Sequence, residues 1–376
     1  MGEIVPTLEQ FQRVVVKIGS ALLVDSATGA LRTDWLESLV SDIADLHHRG
    51  MDVIVVSSGS IALGRMILEL SALDVLPLES SQAAAAVGQI RLASAYASAF
   101  DHYGINVAQI LLTLDDSKDR KRYLNGCATL QALIERRVIP IVNENDTVAT
   151  DEICYGDNDR LAARIALMTK ADALILLSDV DGLYTADPYK NPKAEHIALV
   201  DDVNQDIILM AGAGVSKFSK GGMITKLLAA RTVTRSGCTM AIAQGKTMNS
   251  LQGFGKDKLC TWFLPKTNPH DARKKWIAGM KFLGTVLIDQ GAAEALKNGR
   301  SLLPVGVVNV EGDFQKGDPV TIADCHQNIV GAALTRHSSE AIKKLIGCKS
   351  SEIPERLGYP GCAVVAHRDD LVLWSG

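Results

Sequence analysis

The sequence predicts a three-layer α/β sandwich with a mainly parallel sheet, followed by a smaller β-barrel-like domain. Three observations carry this reading. Over roughly the first 265 residues, short β-branched runs alternate with helical patterns, as in a parallel sheet covered by helices on both faces. The pattern breaks at 265–275 (PKTNPHDARKK), where two prolines and a charge cluster have the composition of a linker. Beyond it, short strand patterns alternate with glycine turns and helical pieces become scarce. At 376 residues, two domains are the natural expectation. The boundaries this suggests are 1–265, a linker over 266–280, and 281–376.

In chain order, the first strand is expected at 13–18 (RVVVKI). Trp35, Leu36, Leu39, Val40, Ile43 and Leu46 then recur at helical spacing, with Asp34 placed to cap them. Further strands are expected at 53–57, 106–112, 138–142, 173–177 and 239–243. The alanine-rich 80–103 reads as a long buried helix, and 157–169 and 223–236 as helices entered from glycine-containing turns. In the second domain the expected strands are 284–289, 306–311, 319–323, 327–334 and 361–367, with helical pieces only at 292–298 and 338–345. The hydrophobic stripes of all these elements read as core packing.

Composition narrows the function classes. The chain is 47% hydrophobic and 22% charged with a net charge of −4, so nothing in its charge favours nucleic acid or an anionic membrane as main partner. No apolar run approaches the ~18–20 residues that span a bilayer, and MGEIVPTLEQ lacks the pattern of a signal peptide. The seven cysteines are scattered and never form a CxxC pair, which fits reduced thiols and a cytoplasmic protein.

The segments with chemical character lie at the carboxyl ends of predicted strands, the edge where open α/β sheets bind ligands. They are Lys17-Ile18-Gly19-Ser20, Ser57-Ser58-Gly59-Ser60, Asn143-Glu144-Asn145-Asp146 and Ser178-Asp179. Two more, Gly156-Asp157-Asn158-Asp159 and SKGGMITK (219–226), open helices. Lys17 and Lys226, about 200 residues apart, each stand beside glycine-bared backbone and together suit a polyphosphate, although the chain has no GxxxxGK[ST] loop. Ser58, Gly59, Ser60, Gly221 and Gly222 suit anions at helix N-termini, while Asn143, Asp146 and Asn158 suit a small zwitterion. Plainer roles stay open: capping for Ser58 and Gly59, a turn for Asp146, and a helix N-terminal acid for Asp159. Asp157 and Asp159 complete no calcium loop, and no metal-ligand set is predicted. No histidine or cysteine arrangement for nucleophilic catalysis can be defended from spacing.

VVVKIGS, VVSSGSIALG, VGQIRL, PIVNENDTVA, GDNDRLAARIA, LLSDVDGLYTADP and GGMITK, in this order, resemble the glutamate 5-kinases of the amino acid kinase family. RKKWI and SLLPVGVVNVEGDF extend the resemblance into a C-terminal PUA domain. The resemblance implies that Lys17 and Lys226 grip the ATP phosphates, with Asp159 orienting both lysines. It implies a glutamate site of Ser58, Gly59, Asp146 and Asn158, with Asn143 nearby. The nucleotide site would include Lys17, Gly19, Ser178, Asp179, Lys220, Gly221, Gly222, Met223, Ile224, Thr225 and Lys226. Mg²⁺ with ATP, a homo-oligomer (dimer or tetramer) and feedback inhibition by proline are further implications; RNA binding is not expected. Two departures stand out: Ser219-Lys220 replace the usual Gly-Ser or Gly-Thr before GGM, and Ser178 replaces a commoner Thr. Lys220 is either a third phosphate contact or a solvent-facing lysine. A kinase with another acceptor (aspartate, acetylglutamate) and an RNA-binding role through the PUA domain are the competing readings.

Overall fold

The β-branched runs form an eight-stranded sheet in a computed structural model of the chain, which describes residues 5–71, 75–117, 119–149, 158–210, 222–255, 258–267 and 269–374. The order of elements is β1 (Arg13–Ile18), α1 (Ser20–Leu23), α2 (Thr33–His48), β2 (Asp52–Ser57), α3 (Ser60–Ile67), α4 (Leu78–Asp101), β3 (Val107–Leu112), α5 (Arg120–Glu135) and β4 (Ile139–Glu144). It continues with α6 (Asn158–Thr169), β5 (Ala173–Ser178), β6 (Leu183–Tyr184), β7 (His196–Ile197), β8 (Leu199–Val200), α7 (Gln205–Met210), α8 (Met223–Arg235), β9 (Thr239–Gln244) and β10 (Cys260–Phe263). The strands lie in the order β3-β4-β2-β1-β5-β9-β10-β8, and β6 and β7 form a separate hairpin. Among the described residues, only the β9–β10 pair is antiparallel within the large sheet.

Consecutive residues of β1, β2 and β5 are buried, because helices cover both faces. A single core joins strand residues such as Val14, Val16 and Ile175 to Leu39 and Ile43 of α2 and to Tyr96 and Phe100 of α4. The chain runs outward from β1 to β2 and on to the edge strand β3, steps back to β4 between them, then crosses β1 to β5. That reversal places a topological switch at β1, and α6, which makes the return, begins there. The strands expected in the first domain are all present, with ends shifted by at most two residues. Strands β8 and β10 and the β6–β7 hairpin were not anticipated.

The chain divides into two compact units, Met1–Lys118 with Asn125–Pro269, and Asp119–Leu124 with His270–Gly376. In the second unit, α9 (Pro269–Ala278) is followed by β11 (Gly284–Ile288), α10 (Gln290–Lys297), β12 (Val307–Gly312), β13 (Pro319–Ala323), β14 (Ile329–Leu334), α11 (Ser339–Leu345), α12 (Ile353–Leu357) and β15 (Leu371–Leu373). The sheet runs β12-β11-β13-β14-β15 over a core that includes Val286, Ile288, Phe314, Ile322 and Ile342.

Several expectations fail. Asp34 lies inside the first turn of α2, whose N-cap is Arg32, and α12 is a helical piece beyond the two expected in the second domain. The charged stretch read as a linker is largely helix α9. Pro269 takes its first position, where a missing N–H costs nothing, and Asp271 favours the helix N-terminus. The strand expected at 361–367 is only an isolated bridge between Leu302 and Ala366. Its buried Val365 and Ala366 fill the core while the final strand forms instead at β15. Among the described residues, no helix is long and apolar enough to cross a membrane.

Candidate active site

Asp159, in the first turn of α6, lies between the two lysines singled out in the sequence. Lys17 Nζ approaches Asp159 Oδ1 at 2.6 Å and Lys226 Nζ approaches Oδ2 at 3.1 Å. The Thr225 hydroxyl also reaches Asp159 Oδ2, at 2.9 Å. All three charged side chains are buried, with Asp159 only 1% exposed. Burial pushes the Asp159 carboxyl up, but Lys17 and Lys226 outweigh it and hold it below the usual carboxylate range. One carboxylate against two ammonium groups leaves the cluster with a net positive charge, suited to an incoming anion.

The local sequence explains this placement. Lys17 extends from the β-branched strand β1, flanked by Val56 of β2 and Leu176 of β5, at the centre of the sheet. Gly222 caps α8 with extended backbone, which sets Met223, Ile224, Thr225 and Lys226 in its first turn. Gly19 caps α1 at the end of β1. Gly59 has φ +113° at the cap of α3, a conformation that favours glycine.

The second half of the site is uncharged except for Asp146. Its hydrogen-bond directions can be deduced from two backbone groups. The carbonyl of Ser57 can only accept, so the atom of Asn158 at 2.9 Å is its Nδ2. That same nitrogen donates to Asn143 Oδ1 at 2.9 Å. The N–H of Glu144 can only donate, and it too meets Asn143 Oδ1, at 2.9 Å. Asn143 Nδ2 must then donate to Gln89 Oε1 at 2.7 Å and to Ser60 Oγ at 3.3 Å. The Ser60 hydroxyl passes its hydrogen to Asp146 Oδ2 at 3.2 Å. All four hydrogen-bonding positions of the Asn143 amide are thus occupied by protein. Asn143 is a hub, and the groups left to face a ligand belong to its neighbours.

Ser58 supplies one such group. Its N–H donates to the Ile18 carbonyl at 3.2 Å, whereas its hydroxyl is buried with no partner among the described residues. Burial raises the Asp146 carboxyl to about 6, only partly opposed by the Ser60 hydrogen bond. A cation beside it would restore its ionised form.

Ser178 donates to Asp179 Oδ1 at 3.0 Å at the end of β5. Among the described residues, no hydrogen bond ties this pair to the lysine cluster. Lys220 and Gly221 lie outside the described residues, as do Gly156 and Asp157. The partners missed in the sequence are Gln89, Tyr96 and the bridging role of Ser60. The signal for Gln89 was a buried amide in an alanine-rich helix, within VGQIRL.

Comparison with known proteins agrees with this architecture. Residues 12–244 match the amino acid kinase family and residues 284–357 match the PUA domain. A glutamate 5-kinase of Dinoroseobacter shibae is 55% identical over 98% of this chain and 100% of its own. Glutamate 5-kinases of Paracoccus denitrificans (54% identical, over 99% of this chain and 100% of its own) and Rhodopseudomonas palustris (51%, over 98% of each) are similar throughout. With its paired lysines at the head of α6 and its polar hub at the end of β4, the chain belongs to the amino acid kinase family, in its glutamate 5-kinase branch.

Proposed function

We propose that this protein transfers the γ-phosphoryl group of ATP to the side-chain carboxylate of L-glutamate. The product is L-glutamyl 5-phosphate, the first intermediate of proline synthesis from glutamate. The observation that carries this is the head of α6, where adjacent residues serve both halves of the site. Asp159 bridges Lys17 and Lys226, while Asn158 joins the acceptor network.

The chemistry needs little from the protein beyond placement and charge. A glutamate side chain ionises near pH ~4.3, so at neutral pH it is already a nucleophile and no general base is required. The remaining barrier is bringing two anions into line and stabilising charge on the moving phosphoryl group. Lys17 and Lys226 supply that charge, and Asp159 keeps both ammonium groups directed at one place. Gly222, Thr225 and the first turn of α8 line the phosphate side, with Gly19, Ser178 and Asp179 at the adjoining strand ends.

On the acceptor side, Asp146 and the Oδ1 of Asn158 offer acceptors to the glutamate ammonium. Ser58 and the N–H groups beside Gly59 offer donors to a carboxylate. Asn143 acts through these neighbours. Mg²⁺ would travel with the nucleotide phosphates, the usual mode for this ion, and neutralise part of their charge. Among the described residues no cluster of three His, Cys, Asp or Glu side chains forms a cage for it. Asp159 has both oxygens committed to lysines. Proline as an inhibitor at or near the glutamate site and a dimeric or tetrameric assembly complete the proposal.

The test is to incubate the purified chain with ATP, Mg²⁺ and hydroxylamine, which traps an acyl phosphate as a hydroxamate. Glutamate should yield hydroxamate, and aspartate and acetylglutamate should not. Absence of product with glutamate would overturn the assignment.

A further inference from the structure

Helix α4 touches the acceptor network at three places, and none of its residues has a part in the reaction described above. Gln89 is nine-tenths buried and accepts from Asn143 Nδ2 at 2.7 Å, the shortest link of the network. The preceding Gly88 lies against α3 so closely that a Cβ there would stand 1.8 Å from the Ser60 carbonyl oxygen. Two turns along, the fully buried Tyr96 hydroxyl is 3.1 Å from Ser57 Oγ. Because the Ser57 hydroxyl donates to the Ser58 carbonyl, the Tyr96 hydroxyl is the donor to Ser57. Helix α4 therefore meets Ser57, Ser60 and Asn143 together, through contacts that leave little freedom in the spacing.

We propose that Gln89 is a positioning residue for the acceptor substrate: its carbonyl fixes the orientation of the Asn143 amide, and through Asn143 it sets Ser60, Asp146 and Asn158. This rests on the function proposed above. The Asn143 amide has two hydrogens to place, and the Glu144 N–H dictates which side they occupy. One goes to Ser60 and the other requires a second acceptor, which Gln89 provides. Without it a buried donor has no partner, a costly condition that a small rotation of the amide would relieve. That rotation would pull Ser60 away from Asp146 and Asn158 out of line. The lysine cluster shares no hydrogen bond with Gln89 among the described residues, so its hold on the nucleotide would be preserved. A glutamine serves here because its carbonyl accepts without bringing a charge beside Asp146.

The inference is tested on the full chain with Gln89→Met, which keeps length and removes the amide, and Gln89→Asn, which withdraws the amide by one methylene. Steady-state hydroxamate formation is measured against glutamate and ATP separately, with thermal melting of each variant. Both variants should raise KM for glutamate about tenfold, the effect of one such hydrogen bond, and leave KM for ATP within about twofold of the wild type. In an Asn143→Ala background, Gln89→Met should add nothing further, because the residue through which it acts is gone.

Unchanged glutamate KM in both variants, equal increases for both substrates, or additive effects in the double variant would overturn the proposal. Failure of both variants to fold would assign Gln89 to the framework and overturn it equally. If the wild-type chain itself makes no product from glutamate, the proposed function fails instead, and that outcome is separately visible.

Discussion

The two halves of the site hold their ligands by different physics. The phosphate half consists of three buried ions, with Lys17 and Lys226 at 2.6 and 3.1 Å from the two oxygens of Asp159. The acceptor half is a relay of amides and hydroxyls, with one carboxylate at its end. Charge acts over distance and tolerates some misalignment, so long flexible lysines from strands and helices far apart in sequence can serve it. A relay of neutral hydrogen bonds works only if every donor faces an acceptor. It is therefore built on short side chains and anchored to backbone at Ser57 and Glu144. Damage to the first half should appear in catalysis, and damage to the second in selectivity for the acceptor.

The largest expected effect tests the charged half. Lys17→Ala and Lys226→Ala should each lower kcat about 10²–10³-fold, the loss typical of one preorganised charge-stabilising group, with circular dichroism unchanged. Near-normal turnover in either variant would remove the distinction between the halves. Asp159→Ala should act on stability as well. It leaves two buried ammonium groups without their carboxylate, a situation costing about 3–5 kcal/mol, readable as a lower denaturation midpoint. An unchanged midpoint would show that the lysines do not depend on Asp159 for their placement.

Smaller effects sharpen the acceptor half. Asp146→Ala should raise KM for glutamate about 10–100-fold, as expected for losing a charge-assisted bond, and leave KM for ATP nearly constant. Equal losses for both substrates would place Asp146 outside the ammonium site.

The smallest effect concerns pH. Burial raises the Asp146 carboxyl to about 6, so below that pH it is neutral and cannot pair with an ammonium group. Glutamate affinity should therefore be high at neutral pH and fall as pH drops through 6, by about tenfold one unit below it. In Asp146→Asn this dependence should flatten. A glutamate KM that stays level from pH 7 to 5 in the wild type would assign the binding charge elsewhere.

Comparing sequence and structure, the central strands were the most legible elements. A strand buried on both faces must be almost wholly apolar, and VVVKI, VIVVS and ALILLS each show that constraint locally. Lys17 stood out for the same reason, as the one cation in such a run. Helix α9 was misread because proline and clustered charge suit a linker and a helix N-terminus equally. The 361–367 segment looked like a strand because it carries buried apolar residues, yet a single bridge satisfies it. Gln89, Ser60 and Tyr96 were illegible as a group, since their partners lie 54, 86 and 39 residues away along the chain.

What the sequence determined by itself was the alternation of buried strands and helices, the ends of those strands, and the chemical character of the residues placed there. These are local properties, governed by backbone propensity, side-chain period and glycine or proline punctuation. The role of Asp159 between two lysines was an expectation of the resemblance. Only the tertiary structure decided which oxygen each lysine meets and that Asn143 is a saturated hub whose neighbours are left to meet a ligand. The direction of a hydrogen bond depends on which partner is opposite, and that is settled when distant strands and helices pack into one sheet edge.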